Sequence, residues 1–303
     1  MKSLFLFKML IALSFLFISC NDELKDTIIE NQLDINIDGT EYQSINEDIG
    51  GNENCDKLYI TAFYSDKDKI DFRIRFEISK EGNLLNVWYA EPKNNLFKTF
   101  ITPNFNPLST FSISNFYYDF TTGEVRFDFD GTLYHEYDSD NSMAIFGKIK
   151  IKSLKSIECS TYKKGLSYTS NQLNLFSFYT SATKYEDKTQ IHRFLSNNGF
   201  RIYLHLSKDL WLYPLGEINF DENAQIDKVE FKEIIGIVVT DQVGLVKETQ
   251  WKNFETSGAI IIEAKYTEKG KKMIRGKINL LVKDNGQVIY NLNGIDFKTN
   301  SFE

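Results

Sequence analysis

A run of carboxylates between residues 128 and 140 has the chemistry to hold a metal ion. It consists of Asp128, Asp130, Glu136, Asp138 and Asp140. Hard cations such as Ca²⁺ bind clustered oxygen atoms, so a calcium site is one interpretation. The spacing does not fit an EF-hand loop, and Asp138-Ser-Asp-Asn141 is equally consistent with a polar hairpin tip. We therefore expect no cofactor, with Ca²⁺ as the alternative.

The first part of this run, Asp128-Phe-Asp-Gly-Thr132, is similar to D-x-D-G-T, the first motif of the haloacid-dehalogenase-like phosphatases. The resemblance implies that Asp128 is a nucleophile, that Asp130 is a general acid and that Mg²⁺ binds between them. In that family the motif follows a continuously apolar parallel strand, whereas Val125-Arg-Phe-Asp128 alternates, and no α/β pattern follows it. We interpret the motif as a decoy on a β-hairpin.

The three histidines, His135, His192 and His205, are scattered along the chain. No H-x-x-x-H or H-E-x-x-H spacing favours a catalytic zinc, and no G-x-S-x-G segment marks a nucleophilic serine. We interpret each histidine as an ordinary surface or strand residue. The sequence therefore names no catalytic residue and no metal ligand.

Two aromatic pairs are the remaining candidates for a binding site: Trp88 with Tyr89, and Trp211 with Tyr213. Exposed Trp and Tyr side chains bind sugar rings, because the apolar face of the sugar packs on the aromatic ring. The alternative is that these rings fill the core, where aromatic residues usually lie. Alternation along Leu210-Trp-Leu-Tyr213 would turn both aromatic rings outward if the two leucines are buried.

The three cysteines are predicted to have different covalent states. Cys20 lies at the end of an N-terminal leader and is the predicted lipidation site. Cys55 and Cys159 are then an even pair, and in an oxidising compartment they are a disulfide candidate. Two free, buried thiols are the alternative.

Residues 1–19 have the pattern of a signal peptide, with lysines before an apolar run that is far shorter than the ~20 residues a membrane span needs. Phe17-Ile-Ser-Cys20 resembles a bacterial lipobox, in which the cysteine is acylated and becomes the first residue of the mature protein. The acidic residues 21–26 are similar to the export signal of Bacteroidota surface lipoproteins. The resemblance implies a tether over 20–31 and a lipid anchor in the outer membrane, with the protein exposed at the cell surface.

Beyond the leader, alternation of apolar and polar residues dominates the chain. Asp71–Ile78, Glu124–Asp130 and Gly147–Lys152 each place apolar side chains on one face and charged side chains on the other. This pattern is typical of half-buried antiparallel strands. Gly, Asn and Asp clusters separate the runs and are typical of turns. The predicted fold class is all-β, with antiparallel sandwich-like or barrel-like domains.

Segments of the chain recur at a spacing of nearly 130 residues. Phe72-Arg-Ile-Arg-Phe-Glu-Ile-Ser-Lys80 matches Phe200-Arg-Ile-Tyr-Leu-His-Leu-Ser-Lys208, at an offset of 128. Ile145-Phe-Gly-Lys-Ile149 matches Ile274-Arg-Gly-Lys-Ile278, at an offset of 129. Two matches in the same order indicate an internal repeat.

The repeat predicts two tandem β domains. Gln32-Leu-Asp-Ile35 and Gln172-Leu-Asn-Leu175 begin the two copies. We expect copy one at 32–159, a linker at 160–170 and copy two at 171–300. This layout resembles the β-rich surface lipoproteins of Bacteroidota, a resemblance that carries no catalytic residues.

Charge and compartment limit the function. The 303-residue chain has a net charge of −7, and removal of a leader with two lysines and no acid makes it −9. No basic footprint for nucleic acid is present. We predict an anchored module for binding or adhesion, with glycans as the leading ligand class. A structural or accessory subunit of an outer-membrane complex is the alternative, and an enzyme is the third.

Overall fold

The computed structural model describes most of the chain after the predicted tether. The described residues are 30–66, 69–93, 96–159, 164–239 and 246–302. The predicted signal peptide, the predicted lipidation site Cys20 and nearly all of the tether lie outside them. Asn31, the last tether residue, is bonded into the fold, because its amide donates to the Ile49 carbonyl at 3.0 Å and accepts from the Lys152 amide at 2.8 Å.

Eleven strands of the first half of the chain form one sheet. In chain order they are β1 (Gln32–Ile37), β2 (Thr40–Ile45), β3 (Ile49–Asn54), β4 (Lys57–Asp66), β5 (Lys69–Ser79), β6 (Leu84–Lys93), β7 (Leu96–Ile101), β8 (Phe111–Asp119), β9 (Glu124–His135), β10 (Asp138–Ile151) and β11 (Lys155–Ile157). Their order in the sheet is β11-β3-β4-β5-β6-β7-β9-β10-β1-β2, and β8 also pairs with β9. All pairs are antiparallel except β11 with β3.

Ten strands of the second half form the other sheet. They are β12 (Gly165–Thr169), β13 (Asn174–Lys184), β14 (Gln190–Ser196), β15 (Phe200–Leu206), β16 (Gly216–Phe220), β17 (Lys228–Ile234), β18 (Trp251–Asn253), β19 (Glu255–Glu268), β20 (Lys271–Asp284) and β21 (Gln287–Asn300). Their order is β16-β19-β20-β21-β12-β13-β14-β15-β17-β18.

The predicted all-β fold class is confirmed. The described residues contain no α-helix, only strands joined by turns and short 3₁₀ segments. Within the same described part of the chain, no helix is long and apolar enough to cross a membrane.

Alternation along the strands builds one core for each sheet. On β5, Phe72, Ile74, Phe76 and Ile78 are buried, and the residues between them face outward. The first sheet curls so that β2, at one end of the strand order, approaches β4 near the other. In the second sheet β17 approaches β19 in the same way. Each sheet therefore wraps its apolar face around its own interior.

The structure places the repeated segments on corresponding strands. The first match lies on β5, between β4 and β6, and on β15, between β14 and β17. The second lies on β10, between β9 and β1, and on β20, between β19 and β21. Both matches therefore lie on inner strands in both halves, although the neighbours of β10 and β20 correspond on one side only.

The predicted starting points of the two copies are not equivalent. Gln32 begins β1, which pairs with β10. Gln172 precedes β13, which pairs with β12 and β14 rather than with β20. The position beside β20 that corresponds to β1 is filled by β21, from the other end of its half. That Gln-Leu match is therefore a sequence coincidence.

The predicted linker at 160–170 is partly wrong. Gly165–Thr169 is strand β12, which lies between β21 and β13 and completes the second sheet. The ordered second half therefore starts about five residues before the predicted boundary at 171. Residues 160–163 lie outside the described part of the chain.

The two halves are packed together through a small apolar cluster. Phe105 from the first half forms one apolar cluster with Leu195, Ile234, Val238 and Trp251 from the second, and its ring centre lies 5.4 Å from that of Trp251. The Phe105 carbonyl accepts a hydrogen bond from the Gly199 amide at 2.7 Å. Hydrogen bonds and buried apolar surface therefore both join the halves.

Candidate functional site

An open groove lies on the outer face of the first sheet, across β9, β10, β1 and β2. Its volume is about 800 Å³. It forms where outward-facing side chains of four adjacent strands surround a shallow depression. The inward side chains of the same strands, among them Ile35 and Phe129, belong to the core. We call this surface the Phe146 groove, after the exposed aromatic residue that lines it.

The register of the strands aligns outward residues into a row that crosses the sheet. Phe146 on β10 lies directly opposite Asn36 on β1 and Asp130 on β9. Glu41 on β2 is opposite Asn36, and Ser112 on β8 is opposite Asp130. Phe146 is 53% exposed. An exposed aromatic ring therefore lies between hydrogen-bonding groups along a row that spans about 19 Å, four inter-strand spacings of ~4.8 Å.

A second row runs beside the first, through Gln43, Asp34, Lys148, Asp128 and Ser114. Asp34 accepts from Gln43 at 2.7 Å and lies 3.0 Å from the Lys148 ammonium. Partial burial opposes its ionisation, but hydrogen bonds from Gln32, Lys148 and Gln43 prevail and hold its pKa below the usual value. This carboxylate is therefore charged and fixed in place.

A smaller depression of about 410 Å³ continues the groove toward β8. Asp128 and Lys148 line both depressions. On the far side the Arg126 guanidinium lies 4.9 Å from the centre of the Tyr117 ring. The Tyr117 ring beyond the two rows is therefore covered by a cation, as Trp88 is.

The groove is rich in groups that bind hydroxyls. Four carboxylates line it, those of Asp34, Glu41, Asp128 and Asp130, with one ammonium from Lys148. Carboxylates and amides accept or donate hydrogen bonds to hydroxyl groups, and the Phe146 ring offers an apolar face. This combination of an apolar face with a few polar groups is typical of small-molecule sites.

The phosphatase-like motif lies inside this groove, in the wrong setting for that chemistry. β9 forms antiparallel ladders with both β8 and β10, not the parallel strand that the phosphatase motif follows. The Asp128 carboxylate accepts from Asn115 at 2.5 Å and faces Lys148 across the strands. Asp130 lies in the Phe146 row. Both aspartates therefore contribute to the surface of the groove.

The chain matches no protein-family model, no curated protein and no solved structure. The geometry therefore carries the functional argument.

Of the first predicted aromatic pair, only Trp88 reaches the surface. Trp88 is partly buried, and the Arg75 guanidinium lies 5.4 Å from its ring centre. Tyr89 points into the core, where it packs 5.5 Å from Phe72 and is 3% exposed. Burial, followed by the nearby Glu91 carboxylate, raises the pKa of Tyr89. The burial of Tyr89 agrees with the alternative interpretation, in which the aromatic ring fills the core.

In the second pair, too, the tyrosine is buried, and the expected strand is absent. Leu210–Leu212 is a 3₁₀ turn, not a strand, because the Asp209 side chain accepts from the Trp211 amide at 2.8 Å. The turn buries Leu210 and exposes 55% of Leu212. Tyr213 is 6% exposed.

The hydroxyl and ring of Tyr213 are both engaged. The hydroxyl donates to Asp227 and lies 3.0 Å from the Ser207 hydroxyl. Burial and the Asp227 hydrogen bond raise the pKa of Tyr213 to about 12. Trp211 is partly buried, with the Lys272 ammonium 5.3 Å from its ring centre. Trp88 and Trp211 therefore each have a cation over the ring, and they lie in different halves of the chain, Trp88 on β6 and Trp211 in a 3₁₀ turn.

Cys55 and Cys159 are bonded to each other in the structure, with a Cα–Cα distance of 4.7 Å. Cys55 follows β3, and Cys159 lies just after β11, the strand that runs parallel to β3. The bridge therefore joins the last strand of the first half to an early one.

The other predicted sites have structural surroundings of their own. Asp138 begins β10, so the hairpin tip lies at Glu136 and Tyr137, earlier than predicted. No group of three or more metal-ligating side chains occurs among the residues that the structure describes. His135 packs edge-to-face on Phe100, and His205 lies 3.4 Å from Glu230.

His192 is the histidine that the sequence interpretation underrated, because it is fully buried. Its Nδ1 lies 2.8 Å from the Thr299 hydroxyl and its Nε2 3.3 Å from the Gln190 side-chain oxygen. The Gln190 amide donates in turn to Asp209 at 3.0 Å. The network holds the C-terminal strand, since Ser301 and Phe302 also donate to Asp209.

Sequence reasoning missed Phe146, the central residue of the groove. Ile145-Phe-Gly-Lys-Ile149 was interpreted only as a repeat. The signal was present: alternation turns the two isoleucines inward and therefore turns Phe146 outward with Lys148. An aromatic residue on the charged face of an alternating strand indicates an exposed ring.

Proposed function

We propose that the protein is a lipoprotein anchored to the outer membrane through Cys20, that it is exposed at the cell surface, and that it binds glycans in the Phe146 groove. One observation carries the binding proposal: the exposed Phe146 ring lies between Asn36 and Asp130, in an open groove of about 800 Å³. The leader and the lipobox-like Phe17–Cys20 segment support the anchor.

A sugar ring fits the chemistry of the groove. Its apolar face packs on Phe146, and its hydroxyls reach the amide of Asn36 and the carboxylate of Asp130 on either side. The row continues to Glu41 and Ser112, so the surface accommodates several linked rings. The excess of carboxylates favours ligands without negative charge, because like charges repel in the groove.

The experiment compares the melting temperature of the mature chain with and without soluble, neutral oligosaccharides. A ligand at ~100 times its dissociation constant stabilises the native state by ~2.7 kcal/mol. We expect a neutral oligosaccharide to raise the melting temperature, and Phe146→Ala to abolish the rise.

Phe97→Ala is the matched control, because Phe97 is 60% exposed but lies on β7, outside the groove. It should retain the full response. A response that survives Phe146→Ala but is lost in Trp88→Ala or Trp211→Ala would move the site to those tryptophans. No response to any neutral saccharide would overturn the glycan proposal.

A second candidate function is that of an accessory subunit of an outer-membrane complex. It is favoured by the exposed side chains of Leu212 and Leu215, 55% and 60% exposed, beside β16. β16 lies at the end of its sheet and pairs with β19. Edge strands with neighbouring apolar side chains are suited to pairing with another chain. Leu215→Lys should then release the protein from a co-purifying partner and leave the response to saccharides unchanged.

A further inference from the structure

The second half carries a structural counterpart of the Phe146 groove. Lys148 pairs with Asp34 on the neighbouring strand at 3.0 Å, and the matching Lys277 pairs with Asp296 at 2.6 Å. A depression of about 330 Å³ lies beside this second ion pair, on the outer face of β13, β12, β21 and β20. We call it the Arg275 groove, because Arg275 takes the position that Phe146 has in the first half.

The two grooves differ in charge at equivalent positions. In the first half Phe146 lies opposite Asn36, and neither residue is charged. In the second half Arg275 lies opposite Lys298, so two cations face each other across adjacent strands. On the other side of β21, Lys298 lies opposite Gly165 on β12. The residue before Gly165 is Lys164, a third cation that lines the groove.

Like charges directly opposite each other destabilise a sheet. The partners present relieve this repulsion incompletely. Lys298 is bonded to Glu268 at 2.5 Å, but Arg275 is 61% exposed at its side chain and lies 3.8 Å from Glu263. Two carboxylates also line the groove, against its three cations: that of Asp296, which is bonded to Lys277, and that of Asp56, from the first half. An anion between Arg275 and Lys298 would offset the repulsion.

An aromatic ring lies in the same groove. The register places Phe176 on β13 opposite Ser167, which lies opposite Asp296. Phe176 is partly buried and lines the depression together with Arg275 and Lys298. An apolar ring face is therefore available beside the cations, as the face of Phe146 is in the first groove.

We propose that the Arg275 groove is a second binding site, specific for acidic saccharides. The sugar ring packs on Phe176, and its carboxylate accepts hydrogen bonds from the Arg275 guanidinium, whose fork matches a carboxylate in two-bond geometry. Lys298 adds a second positive charge. The saccharide class rests on the proposed function, whereas the preference for an anion rests on the charges of this groove alone.

The experiment uses two trisaccharides that differ only in their carboxylates, trigalacturonate and the neutral trigalactose. Binding to the mature chain is measured by isothermal titration at low and at high salt. We expect trigalacturonate to bind, with an affinity that falls as salt rises. Arg275→Gln should weaken this binding at least tenfold, and Phe176→Ala should weaken it as well.

Lys155→Gln is the charge-matched control, because Lys155 is exposed on β11 in the other half. It should leave the affinity for trigalacturonate within about twofold. Unchanged affinity in Arg275→Gln would overturn the inference. Displacement of the trisaccharide by equimolar inorganic sulfate would also overturn it, because the site would then bind simple anions without the sugar.

The same binding measurements test the two grooves separately. If neutral trigalactose binds and Phe146→Ala abolishes its binding, the first groove is supported, whether or not trigalacturonate binds. If trigalacturonate binds through Arg275 and trigalactose does not bind at all, the second groove is supported and the first is contradicted.

Discussion

Acid should destabilise this protein through one buried histidine. His192 is fully buried on β14, and its two ring nitrogens lie close to Thr299 and Gln190. Since the Gln190 oxygen can only accept, Nε2 carries the proton and Nδ1 accepts from the Thr299 hydroxyl. The network therefore fits the neutral imidazole. Burial lowers the pKa of His192 to about 4, although the carboxylate of Asp209 opposes the shift.

The size of this destabilisation follows from the difference between the His192 pKa in the folded chain and in the unfolded chain. An unfolded histidine has a pKa of about 6.5. Below that pH the unfolded state takes up a proton that the folded state refuses until the pH approaches 4, so the free energy of unfolding falls as the pH falls. At ~1.36 kcal/mol per pKa unit, the loss between pH 7 and pH 5 is about 2 kcal/mol.

The assay is urea denaturation of the wild type and of His192→Gln at pH 7 and pH 5. Other titrating groups contribute equally to both proteins, so the difference between the two pH effects isolates His192. We expect the wild type to lose about 2 kcal/mol more than the variant between these pH values. Equal losses would refute the argument, as would an NMR titration of the His192 ring with a midpoint near 6.5.

Two further predictions concern the covalent and apolar links in the fold. Cys159→Ser opens a bridge between residues 104 apart, so the free energy of unfolding should fall by about 4–5 kcal/mol in the loop-entropy model; reductant added to the wild type should lower the melting temperature to the same value. Phe105→Ala removes the ring that packs on Trp251 between the halves and should cost about 3–5 kcal/mol in urea denaturation, against a negligible cost for the exposed Phe97→Ala.

The strands were predictable because alternation reports burial directly. Phe72–Ile78 on β5 and Val125–Phe129 on β9 bury every second residue, as their sequences indicate. The strand order was not predictable, because pairing depends on contacts between distant segments. β21 takes the place beside β20 that β1 takes beside β10, although the two strands come from opposite ends of their halves.

In the Trp211 segment, a side-chain hydrogen bond determines the backbone conformation and overrides the alternating sequence pattern. Alternation over Leu210-Trp-Leu-Tyr213 predicts a strand, but Asp209 caps a 3₁₀ turn there and changes which side chains face inward. The aspartate before the segment was a visible signal for such a turn. The proposed site was overlooked for a different reason: only aromatic pairs were taken as candidates, and Phe146 is a single outward ring on a well-predicted strand.

In the repeated segment, the fold requires glycine at one position, whereas the exposed position before it differs between the two copies. A Cβ at Gly147 would lie 2.1 Å from the Asp34 carbonyl oxygen, and one at Gly276 would lie 2.1 Å from that of Ile261. Any side chain there must displace a neighbouring strand, so both copies need glycine. The residue just before it faces outward and meets no such constraint, and there the copies have Phe146 and Arg275. The chemistry of the outer surface can therefore differ at that position while the packing of the two sheets stays the same.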